Sequence, residues 1–234
     1  MSPELAAKVS RTTALLKRAA AEHPPLTLAT SLLAEDMALT DIVLTEKLPI
    51  SIFTLETGRL FSEAIEMIEK VKAHYGYDIE IYRPAAAAVD AYVRDKGLNA
   101  FYESLALRKE CCGIRKVEPL NRALKGKAGW VTGQRREQGS TRVDLPEEQF
   151  DEAHKMMKFN PIADWTWAEV LEYTEARGVP VNPLHARGYV SIGCEPCTRA
   201  IKPGEDPRAG RWWWEQSDSK ECGLHVQEPR TSAS

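Results

Sequence analysis

The strongest constraint on the fold is an alternation of strand-like and helix-like segments in the first third of the chain. Residues 26–31, 50–55 and 78–82 are short apolar runs typical of buried strands. The intervals between them carry apolar residues at helical spacing, as do residues 3–22. Strands that alternate with helices predict a parallel sheet with helices on both faces. We therefore predict an α/β fold in which residues 1–234 form a single nucleotide-binding domain.

A ligand site is predicted at the carboxyl ends of these strands, where parallel sheets bind their ligands. Thr30-Ser31 lie between the first strand and a helix that begins near Ala34, and Leu55 to Arg59 follow the second strand. Thr132-Gly133-Gln-Arg135-Arg136 follow a further strand-like segment. A strand that runs into a helix N-terminus presents free backbone N–H groups to phosphate, although an ordinary strand–helix turn has the same pattern.

Two distant pairs of cysteines point to a metal centre. Cys111 and Cys112 are adjacent on a helical pattern, and Cys194 and Cys197 lie in Ser-Ile-Gly-Cys-Glu-Pro-Cys-Thr. Four thiolates satisfy either a tetrahedral zinc ion or a cubane iron–sulfur cluster. Adjacent ligands are unusual in zinc ribbons, and disulfides are disfavoured because vicinal cysteines rarely pair. Buried structural cysteines remain a simpler alternative.

The fifth cysteine, Cys222, lies near the end of the chain in Lys-Glu-Cys-Gly-Leu-His. Cationic or protonatable neighbours favour its thiolate, so we predict a reactive residue. It follows Ser217-Asp-Ser219, which is typical of a hinge. Residues from about 215 to 234 are therefore predicted to form a mobile tail.

The net charge of −3 argues against a protein that binds nucleic acid or anionic membranes in general. An anionic ligand must therefore meet local basic clusters, of which there are three. They are Arg115-Lys116; Arg135-Arg136 with Arg142; and Arg199, Lys202, Arg208 and Arg211. No apolar run approaches the length of a membrane span, and the N-terminus lacks the apolar region of a secretory signal. We expect a cytoplasmic protein.

Three further segments carry structural predictions. Residues 104–125 have a helical pattern that Pro119 is expected to kink or divide. The charge-rich stretch from Asp144 to His154 suggests an exposed or mobile loop. Thr166 matches a capping box at the start of a last helix. The three tryptophans at 212–214 suit packing, a nucleobase platform or a partner-docking surface, with packing as the default interpretation.

Five motifs in this order closely resemble the assimilatory adenosine 5′-phosphosulfate reductases. They are Cys-Cys-x-x-Arg-Lys, Thr-Gly-Gln-Arg-Arg, Ser-Ile-Gly-Cys-x-Pro-Cys-Thr, Arg-Ala-Gly-Arg-Trp-Trp-Trp-Glu and Glu-Cys-Gly-Leu-His. The likeness extends from about residue 26 to the end. It implies an adenine-nucleotide α-hydrolase-like (PP-loop-like) fold and a [4Fe–4S] cluster. It also implies reduction of the phosphosulfate to sulfite and AMP by thioredoxin or a glutaredoxin-like donor, in sulfate assimilation and cysteine biosynthesis, by a homo-oligomer.

The resemblance also assigns roles to residues. It makes Cys111, Cys112, Cys194 and Cys197 the cluster ligands, and Cys222 the nucleophile that forms an S-sulfocysteine. The residues matched to contacts with the substrate are Ser31, Leu55, Gly58, Lys116, Arg135, Arg208, Arg211 and His225. One departure is Leu32-Leu33, because the family usually has a glycine in this loop.

Two other functions are considered. A reductase of the 3′-phosphorylated nucleotide is disfavoured by the four cluster cysteines, which such enzymes generally lack. A zinc-bearing nucleotide-binding module that acts on RNA is disfavoured by the acidic charge balance and by Cys222.

Overall fold

The computed structural model describes residues 1–139 and 142–215. The predicted nucleophile Cys222, the predicted substrate contact His225 and the predicted hinge at 217–219 lie outside these residues. Within the described part of the chain, no helix is long and apolar enough to cross a membrane.

A six-stranded sheet organises the molecule, with strands in the order β3-β2-β1-β4-β6-β5. The strands are β1 Leu26–Ala29, β2 Ile50–Leu55, β3 Glu80–Tyr82, β4 Gly129–Val131, β5 Glu148–Asp151 and β6 Met156–Phe159. Every neighbouring pair is parallel except β5 and β6, which form an antiparallel hairpin at one edge. The strand order reverses at β1, because β2 and β4 lie on either side of it. A ligand crevice is expected at that point.

Seven α-helices are found in the described residues. They are α1 Pro3–Glu22, α2 Ala34–Thr45, α3 Ser62–Tyr75, α4 Ala86–Lys96, α5 Leu105–Cys112, α6 Glu118–Leu124 and α7 Trp167–Arg177. The Thr166 side chain accepts a hydrogen bond from the Glu169 amide and the Glu169 carboxylate accepts one from the Thr166 amide, which confirms the capping box. Helix α7 ends at Gly178 in the left-handed conformation, as is common at helix C-termini.

Both faces of the sheet are covered, as predicted. Leu26, Leu28, Ile50 and Ile52 contribute to a large core that also contains buried residues of α1, α2, α3 and α7. Phe53 and Trp130 instead form a smaller core with Leu120, Ala123 and Leu124 of α6. Successive side chains of a strand point to opposite faces, so β2 and β4 each supply buried residues to both cores.

The hairpin of β5 and β6 corrects the prediction of an exposed or mobile loop around residues 144–154. Strand β6 pairs with β4 and brings Phe159 into the main core. Its partner β5 is at the edge of the sheet, and its Phe150 is exposed. Charged residues are typical of edge strands because they discourage pairing with other chains, so the charge of residues 148–151 suits an edge strand. The flanking residues 144–147 form a loop and residues 152–154 form a turn.

Pro119 was predicted to kink or divide the middle helix, and the helix is divided close to it. Helices α5 and α6 are separated by a π-helical turn at Gly113–Val117, and Pro119 lies in the first turn of α6. A proline is tolerated there because the first N–H groups of a helix have no intrahelical acceptor. The helix is wider than a regular α-helix at the π-helical turn before the proline, and this turn carries Arg115 and Lys116.

Candidate active site

A cavity of ≈ 470 Å³ opens at the carboxyl ends of β1, β2 and β4. Its walls come from the segments that follow these strands, from the π-turn and from the loops around residues 190–193 and 207–212. Six of the predicted substrate contacts line it: Ser31, Leu55, Lys116, Arg135, Arg208 and Arg211. Its volume is in the range of cavities that hold a nucleotide-sized ligand.

Gly58 is not among the cavity-lining residues. It has a φ of +72°, and a Cβ atom there would lie 3.2 Å from Nη1 of Arg115. The Arg115 Nη1 group also donates a hydrogen bond to the Thr57 carbonyl at 2.7 Å. Gly58 therefore lets the segment after β2 approach the π-turn closely.

The loop between β1 and α2 keeps a glycine-like backbone without a glycine. Leu32 has a φ of 61°, and its side chain is almost fully buried in the main core. The left-handed conformation costs about 1–2 kcal/mol for a residue with a Cβ atom, and burial of a leucine side chain contributes about 1.5–3 kcal/mol. Burial of the Leu32 side chain thus offsets the backbone strain. The loop therefore keeps the left-handed turn although leucine stands where the family usually has glycine.

Asp36 joins this loop to the loop after β4. Its Oδ2 atom accepts hydrogen bonds from the Ser31 backbone N–H at 2.6 Å and from the Ser31 hydroxyl. Its carboxylate also accepts from the Gly133 backbone, and a side chain at Gly133 would collide with it. Burial raises the pKa of Asp36 to about 6, although the hydrogen bonds from Ser31 oppose the shift.

Arg135 lines the cavity but is bound to carboxylates of the protein. Its guanidinium donates to Glu35 at 3.0 Å and to Glu137 at 2.8 Å, and it is almost fully buried. Glu35 belongs to the first turn of α2, so this ion pair connects that helix to the loop after β4. The structure therefore gives Arg135 a role in positioning two loops of the site.

Lys116, Arg208 and Arg211 contribute three further cations to the wall of the cavity, and Arg142 lines it on the side of Gln138, to which it donates a hydrogen bond. Arg211 is buried and donates to the Ile192 carbonyl at 3.3 Å. Its guanidinium packs on the backbone of Gly193, where a Cβ atom would lie 2.6 Å from Cζ. Such a wall is suited to an anion with several charged groups.

The four predicted cluster ligands come together beside this wall. Cys111, Cys112, Cys194 and Cys197 form one cluster with the buried rings of Phe101 and Trp212. They surround a small cavity of ≈ 20 Å³. The Cys194 Sγ atom lies 3.2 Å from the Thr57 hydroxyl, so the segment after β2 also contacts the cysteine loop.

The chemistry of this group favours a bound cationic centre. Burial raises the pKa of Cys111, and burial together with the neighbouring Cys194 raises the pKa of Cys197 to about 12. Four thiolates at this place need compensating positive charge, which the ions of a metal centre would supply, and binding of the centre would release the thiol protons. Within residues 1–139 and 142–215, no three or more His, Cys, Asp or Glu side chains converge to hold a single metal ion.

Trp212 and Lys116 line both cavities and form the wall between them. Trp212 is buried with a φ of 41°, and its Nε1–H has no acceptor among the described residues. Its ring lies between the guanidiniums of Arg108 and Arg211, each with Cζ 4.5 Å from the ring centroid. Packing, the default interpretation of the tryptophans, holds for Trp212, whereas Trp213 is exposed.

Sequence reasoning missed several residues of the site. Thr57 and Asp36 were not singled out, and Arg108 was not connected with Cys112, to which it hydrogen-bonds. A sequence signal exists for Arg108, because it precedes Cys112 by four residues and such residues share a helix face. No comparable signal identifies Thr57, whose contact with Cys194 spans 137 residues.

Comparisons with known proteins show the family of this chain. The family model of the phosphoadenosine phosphosulfate reductase domain matches residues 25–200. An adenosine 5′-phosphosulfate reductase from Burkholderia cepacia is 62% identical over 97% of this chain and 90% of its own length. A protein of the same name from Allochromatium vinosum is 54% identical over 92% of this chain and 84% of its own length.

Solved structures are similar in fold. Phosphoadenylyl-sulfate reductase from Candida auris, crystallised as a phosphate complex, is similar at a TM-score of 0.70 with 25% identity, over 86% of this chain and 98% of that one. FMN adenylyltransferase from Candida glabrata shares the fold alone, at a TM-score of 0.58 with 14% identity, over 99% of this chain and 77% of that one. The family resemblance predicted from the motifs is confirmed, and this chain belongs to the phosphoadenosine phosphosulfate reductase domain family.

Proposed function

We propose that this protein reduces adenosine 5′-phosphosulfate to sulfite and AMP with electrons from a thioredoxin-like dithiol. The observation that carries the proposal is the shared wall of Lys116 and Trp212, which puts a cationic cavity at the strand ends directly against four cysteines. Relatives that cover nearly the whole chain carry the name of this reductase, which supports the choice of substrate.

The first step is a displacement at sulfur. The Cys222 thiolate attacks the sulfur of the sulfate group, and the bond between that sulfur and the bridging phosphate oxygen breaks. AMP leaves with the electron pair, and Cys222 carries an S-sulfonate. Lys116, Arg208 and Arg211 offset the charge that moves onto the phosphate, because their cavity already holds these cations before the reaction. His225 is proposed as a supporting contact to the anion.

The second step is a thiol exchange. A thiolate of the external dithiol attacks the Cys222 sulfur, and sulfite leaves with the electrons of the sulfur–sulfur bond. The second thiol of the donor then attacks the mixed disulfide, which restores Cys222 and leaves the donor oxidised. The dithiol loses two electrons, and the sulfate sulfur gains them. An external donor is required because the other four cysteines are assigned to the metal centre.

We propose that Cys111, Cys112, Cys194 and Cys197 hold a [4Fe–4S] cluster. The adjacent pair Cys111 and Cys112 supports this choice over zinc, because the paired cysteines of zinc sites are normally spaced by two to four residues. When bound, the cluster would supply positive charge and a covalent cross-link at the wall of the cavity. Iron and acid-labile sulfide in a ratio of about 1:1 support it, and zinc without sulfide contradicts it.

A single-turnover experiment tests the function. Anaerobically purified protein mixed with adenosine 5′-phosphosulfate and no thiol is expected to release one AMP per site and stop, with a sulfonate on the peptide that contains Cys222. Reduced thioredoxin should then release sulfite. Cys222→Ser should show neither the burst nor the adduct, because a serine hydroxyl stays protonated near neutral pH. Full activity in this variant, or an adduct on another cysteine, contradicts the mechanism.

Selectivity is tested with the 3′-phosphorylated nucleotide in the same assay. The proposal requires a larger kcat/KM for the nucleotide without the 3′-phosphate. A larger kcat/KM for the 3′-phosphorylated nucleotide would instead make this chain a reductase of that nucleotide. ATP cleavage that needs no phosphosulfate would instead favour the RNA-directed alternative.

A further inference from the structure

Helix α2, which follows the first strand into the site, has no capping side chain of its own. Its N-cap residue is Leu33, whose side chain has no hydrogen-bond acceptor, and the helix begins at Ala34. The first N–H groups of a helix have no intrahelical acceptor. The Nε2 atom of His185 accepts a hydrogen bond from the Ala34 N–H at 3.3 Å. A residue 151 positions away thus takes the place of a local N-cap.

Both ring nitrogens of His185 are engaged, and their partners determine where its proton lies. The Nδ1 atom lies 2.8 Å from the Tyr189 carbonyl oxygen, which can only accept a hydrogen bond. The proton is therefore on Nδ1, and Nε2 keeps the lone pair that the Ala34 N–H needs. Burial lowers the pKa of His185, although the Glu35 carboxylate and the bond to Tyr189 oppose the shift, so the ring is neutral near pH 7.

His185 lies behind the wall of the large cavity and is not one of its lining residues. Its bond to Ala34 reaches the β1–α2 segment, from which residues 30–33, 35 and 36 line the cavity. Its bond to Tyr189 lies directly before residues 190–193, which line the cavity next to the cysteine loop. His185 therefore joins two segments of the wall through contacts that lie outside the cavity.

The loop that presents His185 is itself anchored. Leu184 is buried in a small core with Phe61 and Ile192, and its amide donates to the Asn182 side chain at 3.0 Å. The Tyr189 ring packs edge-to-face on Phe61, with 5.4 Å between the ring centroids. Because its loop has these other supports, loss of the bond from His185 to α2 would act mainly on the β1–α2 segment.

We propose that His185 is a positioning residue for the nucleotide, which holds the β1–α2 segment in the conformation that the ligand needs. The proposal rests on the proposed function, because it takes the large cavity as the nucleotide site. The segment needs such support since Leu32 has a left-handed backbone there. Without the hydrogen bond from His185, the nucleotide would have to restore the order of the segment on binding, which lowers its apparent affinity.

Two variants of similar size separate the two hydrogen bonds of His185. His185→Asn places an amide near the position of Nδ1, where it can still donate to Tyr189, but it removes the acceptor for Ala34. His185→Gln places its amide oxygen near the position of Nε2 and keeps that acceptor. We expect the Kd for AMP, measured by calorimetry, to rise about fivefold in His185→Asn, which equals about 1 kcal/mol and is typical for loss of an N-cap. In His185→Gln it should stay within about twofold of the wild type.

The rate of the AMP burst separates binding from the chemical step. At saturating adenosine 5′-phosphosulfate, the burst rate of His185→Asn should equal that of the wild type, because Lys116, Arg208 and Arg211 belong to other segments of the wall. The nucleotide concentration that gives half of this rate should rise in parallel with the Kd for AMP. A purely structural role would instead lower the fraction of active protein and leave the Kd unchanged.

The wild type carries a test that does not depend on the folding of any variant. Nitrogen NMR of the His185 ring near neutral pH is expected to show a neutral imidazole with its proton on Nδ1. A charged ring, or a proton on Nε2, would remove the acceptor for Ala34 and contradict the inference.

Ser2→Ala is the matched control. The Ser2 hydroxyl caps α1 by accepting from the Leu5 amide, also at 3.3 Å, and none of the described residues of α1 lines the large cavity. This variant should lose stability and keep the wild-type Kd for AMP. The inference is overturned if the Kd of His185→Asn lies within about twofold of the wild type, if His185→Gln is equally weak, or if Ser2→Ala shows an equal rise, while a wild-type burst upholds the function. A wild type that neither binds AMP nor releases it from the phosphosulfate overturns both.

Discussion

Gly193→Ala should reduce activity through a contact with Arg211. A Cβ atom at residue 193 would lie 2.6 Å from Cζ of Arg211 and closer still to Nη2. Ordinary contacts require roughly 1 Å more, so the guanidinium must retreat. The ring of Trp212 at 4.5 Å from Cζ and the bond to the Ile192 carbonyl oppose this movement.

The size of the effect follows from that displacement. Overpacking of a buried site costs about 1–3 kcal/mol of unfolding free energy. A catalytic cation misplaced by about 1 Å can cost up to about 100-fold in rate, so we expect kcat/KM to fall by about 10- to 100-fold. Single-turnover AMP release and urea unfolding measure the two quantities on the same preparation.

Gly113→Ala is the control for this experiment. Gly113 also borders the cysteine site, but a Cβ atom there meets nothing within 4 Å, and its φ of −55° is helical. Alanine in a helix is favoured over glycine by up to about 1 kcal/mol, so stability should rise slightly with unchanged activity. The steric reasoning is refuted if Gly193→Ala keeps wild-type kcat/KM and stability, or if Gly113→Ala is equally impaired.

Three further predictions concern residues whose hydrogen bonds connect segments of the fold around the site. Burial raises the pKa of Asp36 to about 6 from 3.8, so its contribution to stability is fully present below the lower value and is lost as pH rises through the higher one. Asp36→Asn should therefore reduce the change in unfolding free energy between pH 4 and 7 by about 2 kcal/mol, as measured in urea. Asp41→Asn should cost about 1–3 kcal/mol in the same assay at unchanged KM, because the carboxylate accepts hydrogen bonds from Tyr173 at 2.6 Å and from Tyr75 at 3.0 Å. Thr57→Val removes the hydroxyl beside Cys194, and retention of iron against a chelator should weaken by about 10- to 100-fold, whereas Thr57→Ser should retain it.

The sheet and its helices were largely predictable from local sequence. Strand β2 and helix α1 have the bounds that periodicity predicted, because a buried strand and an amphipathic helix each leave a distinct apolar pattern. The β5–β6 hairpin was not predictable in this way. Its apolar residues are interrupted by charges that suit an edge strand, and its place is fixed by pairing with β4, which is distant in sequence.

The residue types of the site were easier to predict from the sequence than their spatial arrangement. Cysteines and clustered cations are visible as residue types, and the family resemblance selected the lining residues Lys116, Arg208 and Arg211 from the basic clusters. The roles of Arg135 and Gly58 depend on contacts with Glu35 and Arg115, which local pattern does not encode. The ion pair of Arg108 with Glu215 likewise joins residues 107 positions apart, and either charge alone resembles an ordinary surface charge.

The π-turn at Gly113–Val117 makes the number of residues in this stretch as important as their identity. Each residue of a helix advances its direction by about 100°, so deletion of one residue would restore regular α-helical winding and rotate Arg115 and Lys116 away from their cavities. Substitutions of exposed neighbours would leave the direction of these two side chains about the helix axis unchanged. A one-residue deletion here should therefore be far more damaging than the loss of any single exposed side chain, and insertions should be tolerated only outside the segment from Cys111 to Pro119.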